Sequence, residues 1–271
     1  MGPKSKRQVK LASRLAPFVL LFLIGAILSA AQTTLSASDS EIVTDRPDIT
    51  ESSIVVPKGS LQLENGLTWT SDHGTTTLDA TETLIRLGIS TRAELRIVAP
   101  NYLAGSSENG KASGFGDTAL GFKQQLGPLP GDVGLSVIIA LSLPTGARSV
   151  SSHGFDPFIK FPWLKELKKG WSTGGMQSLF WATQQGGRNL TWEPTFYLER
   201  EITKPLVAFA EYSVDVPRLG GLRQLAHFGT AYKIRAKQQI DFHFGFGLSR
   251  AAPDHFFALG YSFRVDRLWG Q

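Results

Sequence analysis

Histidines and carboxylates are the side chains best suited to chemistry in this 271-residue chain, which contains five histidines and no cysteine. A hydrolase centre needs a histidine within hydrogen-bond reach of a serine, with a polar group to orient it. His227 and His243 are the two candidates outside loop-like sequence, and glycine rather than serine stands two positions after each. Asp241 and His243 form a single pair of metal-ligand types with no third ligand nearby in sequence. We therefore expect no enzyme, no metal site and no cofactor, with a lipid-active enzyme as the alternative of that class.

These histidines lie on segments of about ten residues in which every second side chain is apolar. In residues 240–248 the even positions are isoleucine, phenylalanine or leucine, and in residues 256–265 the odd positions are aromatic or aliphatic. Side chains of a strand alternate between its two faces, so each segment has one apolar and one small or charged face. Ten residues is also the length of a tilted strand that crosses a bilayer. The pattern indicates membrane-spanning strands.

Twelve such segments follow one another, and the even number is typical of a single-chain barrel. The predicted strands are approximately 61–69, 82–89, 92–99, 116–125, 132–143, 156–164, 171–182, 189–199, 205–215, 224–233, 240–248 and 256–265. The sixth and seventh carry prolines and a glycine pair, which disfavour a regular strand. The odd connections, including residues 71–80, 100–115 and 183–188, are expected to be long external loops, and the even ones short turns. The fold class predicted is all-β, a transmembrane antiparallel up-and-down β-barrel over residues 60–265, with 266–271 as a C-terminal extension.

A soluble β-sandwich is the alternative, because one face of its strands is also apolar. Two features favour the barrel. Tryptophan and tyrosine recur near strand ends, as in the aromatic girdles at a membrane interface. The opposite face places charges within the strands, as a polar lumen does. The residues expected to line that lumen are Glu64, Glu82, Arg86, Arg92, Glu94, Arg96, Asp117, Lys123, Glu193, Glu211, His227, Asp241, His243 and Arg264.

The first 31 residues have the form of a secretory signal peptide. Five basic residues precede an apolar run from Leu15 to Leu28, and small residues follow at a suitable cleavage site. An uncleaved membrane helix is the alternative. Without these residues the chain has 23 basic and 23 acidic side chains, so its high sequence pI of about 9.5 comes from the signal. Nucleic acid is therefore not an expected partner, and the bacterial outer membrane is the expected location.

Residues 32–59 form a polar stretch that contains Asp45, Arg46 and Asp48. One interpretation is a flexible periplasmic leader. The other is that the stretch folds back into the lumen as a plug, where its charges would pair with Glu64, Arg86 or Arg96. Confined charge pairs can contribute more than surface pairs, although the net sign varies. Both interpretations remain open from the sequence.

The segments TDRPDITESSIVVPKGSLQLENGLTW, GFGDTALGFKQQL and LSLPTG, and the ending QIDFHFGFGLSRAAPDHFFALGYSFRV, resemble the outer-membrane transporter family of the meta-pathway of phenol degradation. The resemblance implies a barrel that passes small, hydrophobic or aromatic molecules by passive or gated diffusion. It also implies outer-membrane lipid and the barrel assembly machinery as partners, and leaves the oligomeric state undetermined. A structural or adhesive barrel that acts through its external loops is a further alternative.

Overall fold

The computed structural model describes residues 41–107, 110–184 and 186–269. The expected signal peptide at 1–31, residues 32–40 of the polar stretch and the last two residues of the C-terminal extension lie outside the described residues. Among the described residues, no helix is both long and apolar enough to cross a membrane.

Fourteen strands account for most of the described chain. They are β1 (Leu61–Asp72), β2 (Thr75–Gly88), β3 (Ala93–Val98), β4 (Tyr102–Ser107), β5 (Gly110–Phe115), β6 (Thr118–Gln125), β7 (Val133–Leu143), β8 (Asp156–Glu166), β9 (Trp171–Gln184), β10 (Gly187–Thr203), β11 (Leu206–Pro217), β12 (Arg223–Arg235), β13 (Gln238–Gly247) and β14 (His255–Val265).

The strands form one closed antiparallel sheet. Each pairs with its neighbour, and β1 pairs with both β2 and β14, which closes the barrel. The first half of β2 pairs with β4 and its second half with β3, while β4 pairs with β5 and β3 with β6. Two long strands are thus each interrupted once, near Pro100 and near Gly116–Asp117. Proline has no N–H to donate to a ladder, which explains the first break. The result is a twelve-stranded antiparallel barrel, and the fold-class prediction is confirmed.

Three of the expected external loops are wrong. The chain between β1 and β2 is only residues 73–74, because β2 already begins at Thr75. β4 and β5 occupy most of residues 100–115, and β9 and β10 leave only residues 185–186 of the expected loop at 183–188. Backbone hydrogen bonds between neighbouring strands form whatever the side chains are. A strand that extends beyond the apolar band can therefore be polar on both faces, and its sequence then shows no alternation.

The inner and outer faces follow the predicted alternation. On the outer face Phe242, Phe244 and Leu259 are 40%, 38% and 59% exposed. On the inner face Glu211, Asp241 and Arg264 are buried. The outer surface is an apolar belt suited to lipid, and the interior is polar and charged.

We call the barrel end that carries residues 60–61 and 265–269 the termini end. The short turns 89–92, 167–170, 204–205 and 236–237 lie at this end, and residues 144–155, 218–222 and 248–254 connect strands at the opposite end.

Candidate functional site

Residues 41–60, which we call the lumenal segment, precede β1 and contact the inner face of the barrel. At the termini end Ile42 N–H donates to the Ala236 carbonyl over 2.7 Å. Midway, Thr50 N–H donates to Glu211 of β11 over 2.9 Å. On its return the segment donates from Val56 N–H to Glu94 of β3 over 2.7 Å. Strands on different sides of the barrel therefore hold the same short stretch of chain.

Asp45 is the centre of a buried cationic cluster. Its carboxylate accepts hydrogen bonds from Arg96 Nη1 at 2.6 Å and Lys123 Nζ at 3.0 Å, and lies 3.4 Å from Arg86 Nη1. Lys123 and Arg86 are fully buried. Arg86 also donates to Glu64 and Glu94 over 2.8 Å each, so the wall neutralises part of the positive charge itself.

Glu51 extends the same network along the wall. Its two carboxylate oxygens accept from Arg96 Nη2 and from Lys160 Nζ, each over 2.6 Å. Arg96 therefore bridges Asp45 and Glu51 with its two terminal nitrogens. A guanidinium that binds two carboxylates through its planar fork fixes their relative positions.

Arg46, unlike Asp45 and Glu51, contacts acidic groups of the wall. Its guanidinium donates to Glu82 over 2.6 Å and to Asp241 over 3.4 Å. Glycines of the wall make space for it, since a Cβ on Gly66 would lie 2.2 Å from Arg46 Nη1 and one on Gly260 would lie 2.6 Å from Arg46 Nε. The wall is therefore shaped to admit this arginine.

Backbone groups of the segment are held as firmly as its charges. Glu211 accepts from the N–H groups of Ile49 and Thr50 over 2.9 Å each, and the Thr50 hydroxyl also contacts Thr195 of β10. Arg86 donates to the Ile54 carbonyl over 2.9 Å. These contacts satisfy backbone groups that a strand ladder would otherwise satisfy.

Most of the predicted lumen residues do face the interior. The buried members are Glu64, Arg86, Glu94, Arg96, Lys123, Glu211, His227, Asp241, His243 and Arg264, and Glu82 contacts Arg46. Of the predicted plug residues, Asp45 and Arg46 make the contacts described above. Asp48 lines an interior cavity at the termini end.

Two of the predicted lumen residues, Arg92 and Asp117, lie at strand ends, and a third, Glu193, faces the interior away from the lumenal segment. Arg92 lies in the turn before β3 and donates to the Gly127 carbonyl over 2.8 Å. Asp117 lies at the break between β5 and β6, where it accepts from the N–H groups of Gly146 and Ser152 and so holds the loop 144–155. Glu193 lines a second cavity towards the opposite end.

The sequence pattern did not reveal Glu51, Lys160 or the inward aromatic residues. Lys160 lies between two prolines in a segment whose alternation is weak, so the side its side chain faces was not evident. Phe209 and Phe256 pack around the two histidines: the centroid of Phe256 lies 5.8 Å from that of His227 and 5.4 Å from that of His243. Both imidazoles thus contact aromatic rings, and His227 Nε2 lies 3.0 Å from Glu211.

Cavities lie towards both ends of the barrel. The first, about 470 Å³, is lined by the segment itself and by Glu199, Lys233 and the turn at Leu167 and Gly170. The second, about 430 Å³, is lined by side chains of β9 to β12, including Phe180, Glu193 and Arg223, and by residues 219–221. The first therefore lies towards the termini end and the second towards the opposite end.

A closed antiparallel barrel with an apolar belt outside and charges inside is the architecture of an outer-membrane β-barrel. Solved structures with this fold include an outer membrane channel from Pseudomonas putida F1, which is 14% identical, with a TM-score of 0.60 over 86% of this chain and 100% of that one. The NanC porin is 9% identical, with a TM-score of 0.55 over 76% of this chain and 100% of its own. The KdgM porin, in complex with disordered oligogalacturonate, is 8% identical, with a TM-score of 0.51 over 75% of this chain and 98% of its own.

The sequence profile of the family described as "Putative MetA-pathway of phenol degradation" matches residues 44–265, so the chain belongs to that family. The match begins inside the lumenal segment and ends with β14. No curated protein matches the chain.

Proposed function

We propose that this protein is an outer-membrane channel for small, hydrophobic or aromatic molecules, and that the lumenal segment closes it at rest. The observation that carries the proposal is the set of contacts that residues 41–60 make with opposite walls of the barrel. Asp45 and Glu51 bind cations of β3, β6 and β8. Arg46 binds carboxylates of β2 and β13.

The size of the barrel supports closure by this segment. Barrel diameter grows roughly with strand number, and about eight strands are already filled by their own side chains. Twelve strands therefore enclose a modest bore, which a folded stretch of chain can fill. Solute passage then requires the segment to move aside.

The chemistry of the contacts supports reversible closure. The segment is held largely by ion pairs and hydrogen bonds, which can be exchanged for water, and its buried aliphatic side chains are Ile42, Val55 and Val56. Removing one partner of a buried pair is costly when the other stays dry, but displacement of the segment admits water, which hydrates the wall cations and offsets part of the lost attraction. Displacing the segment as a unit into water is therefore less costly than the number of contacts suggests.

An aromatic substrate is supported by the family description and by the second cavity. Phe180 lines this cavity and packs in a tilted arrangement against Phe158, with centroids 5.6 Å apart. Aromatic side chains offer an incoming ring offset-stacked or edge-to-face contacts. Export by the signal peptide, insertion by the barrel assembly machinery and a periplasmic termini end belong to the same proposal.

A reversible disulfide tests the closure directly, because the chain has no cysteine of its own. The side chains of Thr50 and Thr195 touch, so Thr50→Cys with Thr195→Cys should join the segment to β10 on oxidation. We expect the oxidised protein in planar bilayers to lose its open events and to regain them when a reductant is added.

The matched control joins two residues outside the segment. Thr145 Oγ1 donates to Thr118 Oγ1 over 3.1 Å, so Thr118→Cys with Thr145→Cys ties a loop to β6. Oxidation of this control should leave the current unchanged. Equal currents from the oxidised and reduced forms of the Thr50–Thr195 pair would contradict the proposal.

A further inference from the structure

The cationic strip on the inner wall is incompletely neutralised by the wall itself. Its four cations are Arg86, Arg96, Lys123 and Lys160. Among the ion pairs of the described residues, the wall supplies only Glu64 and Glu94 to these cations. The other two carboxylates, Asp45 and Glu51, belong to the lumenal segment. When the segment leaves, these ion pairs retain an excess of two positive charges in a confined lumen. Glu193 of β10 also interacts with Lys160 from the wall, so the excess is greatest around Arg96 and Lys123.

Such a strip is a preformed carboxylate site. Arg96 presents its two terminal nitrogens to two different carboxylates, and both Nη distances are 2.6 Å. Lys123 and Lys160 each supply an ammonium group to one of them. Because burial leaves these cations poorly hydrated, an anion that replaces Asp45 and Glu51 recovers favourable interactions that water replaces only in part.

The Glu51 end of the strip adjoins an aromatic surface. Lys160 Nζ lies 5.5 Å from the ring centroid of Phe158 and 5.6 Å from that of Phe180. Phe180 also lines the cavity of about 430 Å³ at the opposite end of the barrel. A cation beside two rings, one of which lines a cavity, suits a ligand with a carboxylate on an aromatic or compact apolar body.

We infer that the substrates are small aromatic carboxylates, and that Asp45 and Glu51 occupy their site in the closed channel. This inference rests on the proposed function, because it takes the lumenal segment as the closed gate. A substrate arriving through the second cavity would compete with Glu51 for Lys160 and Arg96. Its binding would then favour the displaced state of the segment, since a ligand shifts an equilibrium only by its differential affinity for the two states.

The test uses the full-length protein in planar bilayers with benzoate as the probe. The current is carried by KCl, and acetate and benzylammonium are compared at the same ionic strength. If benzoate binds only the state in which the segment is displaced, the ratio of open to closed time should be multiplied by 1 + [benzoate]/Kd, where Kd is the dissociation constant of benzoate. At ten times that constant we expect a rise of about tenfold. Acetate, which has no ring, should need a higher concentration, and benzylammonium should have no effect.

Two substitutions locate the site, each with a matched control. Lys160→Gln should raise the open time without ligand and abolish the benzoate response, whereas Lys168→Gln, in an exposed turn, should do neither. Phe180→Leu should weaken the preference for benzoate over acetate, whereas Phe161→Leu, on the outer face of β8, should preserve it.

The outcomes separate this inference from the proposed gate. Glu51→Gln removes a gate contact but leaves the wall site intact, so it should raise the open time without ligand and retain the benzoate response. If Glu51→Gln opens the channel while benzoate acts no more strongly than benzylammonium, the substrate class is wrong and the gate stands. A full benzoate response in Lys160→Gln would likewise overturn the site. If Glu51→Gln leaves the channel closed, the gate itself is wrong, and this inference fails with it.

Discussion

Asp45→Asn removes one negative charge from a buried part of the gate without changing the shape of the side chain. In the native protein its carboxylate lies 2.6 Å from Arg96 Nη1 and 3.0 Å from Lys123 Nζ. Both cations belong to the wall, so they remain buried whether or not the segment carries a charge. The substitution should therefore weaken the docking of residues 41–60 and leave the strand pairing of the barrel intact.

The magnitude follows from the burial of Lys123, whose side chain is completely inaccessible to solvent. Removing one partner of a buried ion pair costs about 3–5 kcal/mol. Asparagine retains a carbonyl oxygen that still accepts from one cation, so the lower end, about 3 kcal/mol, applies. At about 1.4 kcal/mol per factor of ten, the ratio of open to closed time should rise roughly a hundredfold.

Single-channel recording in planar bilayers measures that ratio, and heat-modifiable migration on a gel verifies that the barrel is folded. Asp132→Asn is the matched control, since it makes the same change in an exposed turn at the termini end. Asp45→Asn combined with Lys123→Met should move the ratio back towards the native value, because the unpaired cation is then absent. A folded Asp45→Asn protein that opens as rarely as the native protein would refute the reasoning.

Three further perturbations test the faces, the fit of the segment and the C-terminal contact. Phe244→Arg puts a cation on the outer face at a cost of roughly 2–4 kcal/mol near the bilayer midplane, so it should lower the urea midpoint of folding in vesicles, whereas Ala182→Arg, beside the second cavity, should not. Gly260→Ala places a Cβ 2.4 Å from Asp241 Oδ2 and 2.6 Å from Arg46 Nε, so it should disturb the contact between these two side chains and raise open probability. Gly105→Ala, whose Cβ meets only one atom at 3.9 Å, should leave open probability unchanged. Partial burial acts to raise the pKa of Asp266, but hydrogen bonds from Lys237 and Arg264 outweigh it and lower this pKa to about 2. The stability that Asp266 contributes is therefore fully present above the pKa of aspartate in the unfolded chain and is lost as the pH falls through about 2. Asp266→Asn should reduce the thermal unfolding midpoint at pH 7 and have little effect on it at pH 2.

The membrane-spanning part of the fold could be predicted from the sequence, because lipid outside and charge inside impose alternation on each strand. β13 shows this most clearly, with phenylalanine at 242, 244 and 246 on the outer face. β8 and β9 were found despite their prolines and glycines. Packing explains the glycine at position 174, since a Cβ there would lie 2.6 Å from a ring carbon of Tyr197. The first half of β2 and the strands β4 and β5 were not predicted, because strands beyond the membrane lack an apolar face.

The site was predictable only in part. Alternation placed Arg86, Arg96 and Lys123 on the inner face, yet nothing in the sequence specifies which carboxylate each cation meets. Lys123 and Asp45 are 78 residues apart in the chain. Glu211 was predicted as a charged lumen residue, but in the structure it binds backbone N–H groups of Ile49 and Thr50. Such pairings depend on how the segment folds into the barrel, which local periodicity does not encode.

The central claim is that the lumenal segment occupies the conduction path, and deletion of residues 39–56 tests it most directly. The pairing of β1 with β2 and β14 begins at Leu61, so the deleted residues contribute nothing to the closed sheet. The measurement is the single-channel conductance of the deletion variant in planar bilayers, on protein whose gel migration is heat-modifiable. We expect a conductance well above that of the native protein. A folded deletion variant with native conductance would contradict the account and leave residues 39–56 with no part in closing the channel.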